Sequence, residues 1–234
     1  MTIAKTITIP VITIDGPSGT GKGTIGQLLA LELGWHYLDS GSLYRVLALA
    51  AEHHQVALDD ETGLAHLASN MDIQFKINGH DLLPRVILDH LDVTEAIRSE
   101  NCGNNASKVG VLPKVRQALL ELQRAFRTVP GLVTDGRDMG SVVFPDAPIK
   151  LFLDASPQER AERRYNQLKK KGINVSLDAL CTELVERDRR DRERVVAPLK
   201  PAPDAIIIDT THMGIEEELQ KIREIVRSVF PEST

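Results

Sequence analysis

The sequence predicts an α/β fold: a parallel five-stranded sheet flanked by helices, with a small antiparallel β insert and a short helical lid. Three observations predict it. Short apolar runs of strand length alternate with longer stretches of helical periodicity, the pattern of parallel strands joined by crossover helices. The first run leads straight into a glycine-rich loop, Gly16-Pro-Ser-Gly-Thr-Gly-Lys-Gly-Thr24. One stretch, near residues 72–93, abandons that alternation for the period-two pattern of antiparallel strands.

The first strand is the β-branched run Val11 to Asp15. In the loop that follows, Gly16, Gly19 and Gly21 permit backbone conformations closed to other residues, so successive N–H groups can point at one polyphosphate. Pro17, Ser18 and Thr20 complete the cradle. Lys22 adds a point charge, and a helix running to Leu33 aims its positive end at the same place. The spacing is the G-x-x-x-x-G-K of P-loop NTPases, except that Gly23 stands where Ser or Thr is usual. The first hydroxyl therefore falls to Thr24, a candidate Mg²⁺ ligand. A plain flexible turn would not call for a preceding strand, a lysine at this offset and a following helix together.

The second strand, around His36 to Asp39, leads through Ser40 and Gly41 to a helix expected over Ser42 to Ala51, with Tyr44 and Arg45 in its first turn. An arginine there opposes the helix dipole and gains from a nearby anion, although a solvated surface arginine fits equally well. Residues 71–79 then alternate apolar and polar up to Asn78-Gly79, a hairpin signal, and Arg85 to Val93 supply returning strands. We place this insert at about 66–103 within a single domain over 1–234; on its own it reads as a decorative hairpin.

After a helical stretch from Pro113 to Phe126, the third strand ends in Asp135-Gly-Arg-Asp-Met-Gly140. Asp135 occupies the position where P-loop enzymes carry the acid that organises Mg²⁺, and Arg137 and Asp138 add a bidentate cation and a carboxylate. The fourth strand, Ile149 to Asp154, precedes a helix over Pro157 to Lys171 and a charge run, Glu186 to Arg194. On a helix, Arg187, Arg190, Asp191 and Arg194 share one face. Alone this is a solvated helix; beside a phosphate loop it is a lid, about 160–198, able to neutralise a moving phosphoryl group. The last strand, Ala205 to Asp209, and a helix from Ile215 to Phe230 with an apolar stripe close the fold. Each of the five runs ends in an aspartate, which predicts an acidic rim at the carboxyl ends of the strands.

Composition narrows the partners. A formal net charge of −5 and 4% aromatic residues disfavour a nucleic-acid partner. Cys102 and Cys181 lie in no metal-ligand spacing. No apolar run reaches membrane-spanning length and no signal peptide is evident, so a cytoplasmic monomer with a small-molecule partner is expected.

From about Pro10 to the last strand, the chain resembles the bacterial cytidylate kinases. The likeness rests on Ile14–Thr24, Leu38–Arg45, Asp135–Phe144 and Arg187–Pro198. It implies transfer of the ATP γ-phosphate to CMP or dCMP with Mg²⁺, in pyrimidine nucleotide metabolism. It implies that Gly16 to Thr24 hold ATP, that Ser40, Arg45 and Arg137 hold the acceptor phosphate, and that Ser107, Arg116 and Asp138 read the cytosine edge. Arg187 and Asp191 become sugar and phosphate contacts, and Arg194 reaches the acceptor or the transferring phosphate. Asn104-Asn105 departs slightly from the family pattern. The residues alone leave open a P-loop kinase with another small acceptor, or a nucleotide switch; Arg45 and Arg137 together with the 187–194 run favour two anionic substrates over one.

Overall fold

A computed structural model of the chain describes residues 9–76 and 85–231. Five strands, β1 (Val11–Asp15), β2 (His36–Asp39), β6 (Leu132–Gly136), β7 (Ile149–Asp154) and β8 (Ile206–Asp209), form one sheet in the order β2-β6-β1-β7-β8. Every pairing in it is parallel. The predicted sheet is therefore present, with β6 extending one residue past Asp135. β1, β6 and most of β7 are buried along their length, which is why they read as continuous apolar runs. Asp39 lies level with Asp135 and Asp154 with Asp209, so the acidic rim exists. Asp154 and Asp209, however, spend their carboxylates on the backbone N–H groups of Ala155 and Thr211. Asp15, Asp39 and Asp135 lie at the carboxyl ends of the three adjacent strands β1, β2 and β6.

The insert is a three-stranded antiparallel sheet of β3 (Ile73–Lys76), β4 (Arg85–Leu88) and β5 (Leu91–Asp92). The Asn78-Gly79 turn lies outside the described residues. Helices α1 (Lys22–Leu33) and α8 (Ile215–Val229) pack on one face of the large sheet, where Ile25, Leu29, Leu219, Ile222 and Val226 meet Ile12, Ile14 and Leu151. The other face carries α2 (Ser40–His53), with Leu43 packing against Val11, Leu38 and Leu132.

Two expectations are corrected here. Helix α2 starts at Ser40, because the Asp39 carboxylate accepts hydrogen bonds from the Ser42 N–H and hydroxyl and so caps it two residues early. Tyr44 and Arg45 thus sit in the second turn, where the dipole argument for Arg45 no longer holds. Helix α7 (Leu177–Glu193) stops before Arg194, whose extended backbone leaves the helix. Arg194 therefore does not belong to the helical face of Arg187 and Asp191; it reaches the same place from the loop beyond.

Two helices and half of a third went unpredicted as elements: α3 (Glu61–Asn70), α4 (Glu100–Val109) and the first half of α7. Helix α5 (Pro113–Ala125) supplies Val115 and Leu119 to a cluster with Leu47 of α2 and Leu64 of α3. Helices α6 (Pro157–Lys170) and α7 form a hairpin packed through Ala161, Leu168, Leu180 and Leu184.

Candidate active site

The loop after β1 is built from its backbone outward. Gly16 (φ +151°), Gly19 (+84°) and Gly21 (+98°) occupy conformations that side chains disfavour, and a Cβ on Gly16 would lie 2.1 Å from the Leu153 carbonyl oxygen. Its carbonyls are held from behind. Arg160, almost fully buried, donates to the Ser18 carbonyl at 3.0 Å and to Asp188, and Arg163 donates to the Thr20 carbonyl at 3.1 Å. The N–H groups of Gly19 and Gly21 have no partner among the described residues. Lys22 opens α1 and curls back, donating to the Pro17 carbonyl at 3.0 Å. Burial, reinforced by Arg137, brings its ammonium down to about 7. A loop whose Ser18 and Thr20 carbonyls are held from behind, and whose lysine makes no ion pair with a carboxylate among the described residues, is a receptor for anions.

Beside it, the Asp15 carboxylate accepts hydrogen bonds from the N–H groups of Met139 and Gly140, both at 2.8 Å. This ties the base of the phosphate loop to the segment after β6, where a single wide turn over Met139–Val143 aims Arg137 and Asp138 inward. Burial pushes the Asp15 carboxyl up to about 7. Asp135, buried at the end of β6, accepts the Tyr37 hydroxyl proton. Burial, and then the charge of Asp39, push it up to about 7 as well.

Asp39, Asp135 and the exposed Thr24 hydroxyl offer hard oxygen donors next to the cradle. That donor chemistry fits Mg²⁺, which takes one or two carboxylates and keeps several waters. Among the described residues there is no cluster of three or more His, Cys, Asp or Glu of the kind that holds a metal through protein ligands alone.

All the residues expected to bind the acceptor, except Arg45, line one pocket. Ser40 and Tyr44 come from α2, Ser107 from α4, Arg116 from α5, Arg137 and Asp138 from the turn after β6, Arg187 and Asp191 from α7, and Arg194 from the loop beyond. Asp138 pairs with Arg116 and, at 3.4 Å, with Arg194. Asp191 pairs with Arg137 at 2.8 Å and accepts the Ser107 hydroxyl at 3.3 Å. Burial works against the Arg137 charge, and Asp191 more than offsets it, holding it above its usual range.

Arg187 is different. No described residue accepts from it, and its Nε is buried without a hydrogen bond. Burial and the neighbouring Arg137 and Arg45 bring it down to about 9. Tyr44 likewise keeps its hydroxyl buried and unpartnered, with the Arg116 guanidinium 5.7 Å from the ring centre. A half-buried cation whose Nε is buried without a partner, and a buried hydroxyl left unpaired in the same pocket, mark where an anionic, hydrogen-bonding ligand belongs.

Arg45 turns aside. Its guanidinium donates to the carbonyls of Ile97 (2.8 Å) and Ser99 (3.3 Å) and lines a neighbouring cavity under the insert. Arg190 also leaves the pocket, toward Asn104 of α4. Sequence reasoning missed Asp15 as an anchor, Tyr37, and the arginine pair Arg160 and Arg163. The last pair had a faint signal, an i, i+3 spacing on the helix after a strand of the phosphate-loop sheet.

The family model for cytidylate kinase matches residues 12–228. The chain belongs to the cytidylate kinase family. A cytidylate kinase from Shewanella denitrificans is 58% identical over 94% of this chain and 96% of its own length. One from Aeromonas hydrophila is 60% identical over 90% of each. Among solved structures, a gluconokinase from Sinorhizobium meliloti aligns over 97% of this chain and 99% of its own at 14% identity and a TM-score of 0.46, too distant to carry an argument. Membership in the cytidylate kinase family fits an ATP-dependent phosphotransferase with two anion sites side by side. No described helix is long and apolar enough to cross a membrane.

Proposed function

We propose that the chain transfers the γ-phosphate of ATP to CMP or dCMP, giving ADP and CDP or dCDP. The observation that carries this reading is the unpaired Arg187 in a cationic pocket against the phosphate loop. A protein that only binds or hydrolyses one nucleotide has no need of a second set of buried cations. Arg137 and Arg187 both depress the Lys22 ammonium, so the cations of the two sites are near enough to act on one phosphoryl group.

In this reading the loop from Gly16 to Thr24 binds the ATP phosphates through its N–H groups and Lys22. The nucleoside of ATP lies in the cavity of 760 Å³ that Arg160, Asp188, Arg192, Asp209 and Thr211 border. Arg137, Arg187 and Ser40 take the acceptor phosphate. Asp138 accepts from the cytosine amino group while Arg116 and Ser107 donate to the ring acceptors, a pairing that rejects a base with the opposite pattern. Asp191 holds Arg137 and, with Arg187, the sugar. Arg194 spans base and phosphate. Mg²⁺, held by Asp135 and Thr24 largely through water, would neutralise charge on the transferring group. No covalent intermediate is required: the residues position two anions in line and offset their repulsion.

The acceptor pocket has a free volume of 60 Å³, against the several hundred that a bound nucleotide fills. Entry of CMP therefore requires α7 and the loop to Pro198 to move outward, and its binding draws them back. This is the lid, about 160–198, closing on the insert at about 66–103. The test is a panel of ribo- and deoxyribonucleoside monophosphates with ATP, with and without Mg²⁺, reading ADP and the diphosphate product. CDP and dCDP formation with Mg²⁺ is expected. Hydrolysis of ATP at the same rate with and without any monophosphate overturns the proposal.

A further inference from the structure

Position 23 lacks the hydroxyl that a phosphate loop ordinarily places beside the metal, and the fold puts another hydroxyl there. Gly23 and Gly26 lie one turn apart on α1 and together leave a notch in its surface. The ring of Tyr37, from β2, fills that notch: a Cβ on Gly26 would lie 2.9 Å from Tyr37 Cε2. The Tyr37 hydroxyl then stands 3.6 Å from where a Cβ on residue 23 would be, within reach of the space a serine or threonine side chain would enter. Its proton goes to Asp135 Oδ1 at 2.5 Å.

We propose that Tyr37 is a positioning residue for the metal, its hydroxyl standing in for the missing side chain at position 23 by fixing the Asp135 carboxylate. With its proton committed to one oxygen, the carboxylate keeps the second oxygen turned to the metal's water shell. Glycine at 26 is then the condition for the ring to approach, while at 23 the tyrosine hydroxyl stands at contact distance from where a side chain would begin. Outer partners that orient a metal-binding carboxylate in this way are worth about ten- to a hundredfold in metal affinity. The inference rests on the reading of the cradle as a Mg²⁺-nucleotide site, and it is independent of which monophosphate is the acceptor.

The test is metal binding rather than turnover. Mn²⁺ is titrated into the protein–ADP complex and followed by water-proton relaxation, for the parent, Tyr37→Phe, and Tyr37→Phe with Gly23→Ser. Tyr37→Phe keeps the ring in its notch. It is expected to weaken Mn²⁺ binding by about tenfold while metal-free ADP affinity and melting temperature hold. Adding Gly23→Ser, which returns a hydroxyl from the loop, is expected to recover most of that loss. Parental Mn²⁺ affinity in Tyr37→Phe overturns the proposal. So does an equal loss of metal-free ADP binding, or a variant that no longer folds, since either assigns the hydroxyl to the structure of the loop. Failure of the parent to make CDP would count against the acceptor reading and leave this one standing.

Discussion

The donor loop and the acceptor pocket lie side by side at the carboxyl ends of β1 and β6, yet their charges are held in opposite ways. In the loop, cations grip backbone: Lys22 holds the Pro17 carbonyl, Arg160 that of Ser18, and Arg163 that of Thr20. The pocket instead pairs cations with carboxylates on other elements, Arg137 with Asp191 and Arg116 with Asp138, and leaves Arg187 over. The difference teaches what each must do. A loop that cradles phosphates has to keep one shape, so its own carbonyls are tied down. In the proposed reading the pocket opens and closes and so has to exchange partners, and ion pairs across α7, α5 and the turn after β6 give an acceptor phosphate something to displace.

The sharpest way to break this comparison is Lys22→Ala. If the lysine serves the transferring phosphate as well as the loop, turnover falls by about 10³-fold with the fold intact, in line with the loss of a preorganised electrostatic contact. Steady-state kinetics with a melting curve decides it, and a drop confined to melting temperature would make Lys22 merely a strut of the loop. Next in size is Arg187→Leu. Truncating one half of a buried pair is costly, but Arg187, half-buried, has no such pair to lose among the described residues. We expect kcat/KM for CMP to fall about 100-fold while melting temperature stays level or rises. Arg137→Ala provides the contrast, since it leaves Asp191 without its closest cation and lowers both. Equal thermal losses from the two variants would erase the distinction drawn between the pocket's paired and unpaired arginines.

What the sequence made legible follows the same division. The cradle is contiguous, so spacing alone located Gly16 to Thr24, and the strand runs located the sheet. Arg187 and Asp191 were legible as neighbours at i, i+4 on a helix. The direction of Arg45 was not legible, because closeness in sequence to Ser40 and Tyr44 does not decide which way a long side chain turns. Here the carbonyls of Ile97 and Ser99, more than fifty residues away, claimed it. Arg160 and Asp15 act on backbone atoms more than a hundred residues distant, and a carbonyl or N–H leaves no mark in a sequence. Helix α4 was missed because Glu-Asn-Cys-Gly-Asn-Asn-Ala-Ser-Lys-Val buries only a narrow stripe of small residues, Cys102, Ala106 and Val109, and holds few strong helix formers. Its packing against α2, and a Ser99 side chain capping its first turn, make the helix that local propensity does not.

The smallest effect concerns the donor side's own misfit, which has the opposite sign to Arg187. Glu218 of α8 is buried with one carboxylate oxygen unpartnered, and it faces the loop, since a Cβ on Gly21 would lie 3.6 Å from its other oxygen. Burial raises its pKa to about 7, with Arg163 opposing weakly. A carboxyl that holds its proton more tightly folded than unfolded costs stability as pH rises: the loss begins near its unfolded value of about 4.5, grows up to about 7 and is constant above that. Glu218→Gln removes this slope. The variant should melt within a degree or so of the parent at pH 4.5 and a few degrees higher at pH 8, a gain of about 1–3 kcal/mol. An ionised carboxylate beside the cradle also repels phosphates, so the same variant should tighten ADP binding at pH 8 more than at pH 6. A melting difference that is the same at both ends of the pH range would mean that Glu218 is charged and satisfied throughout. The two halves would then differ only in the pocket's unpaired arginine.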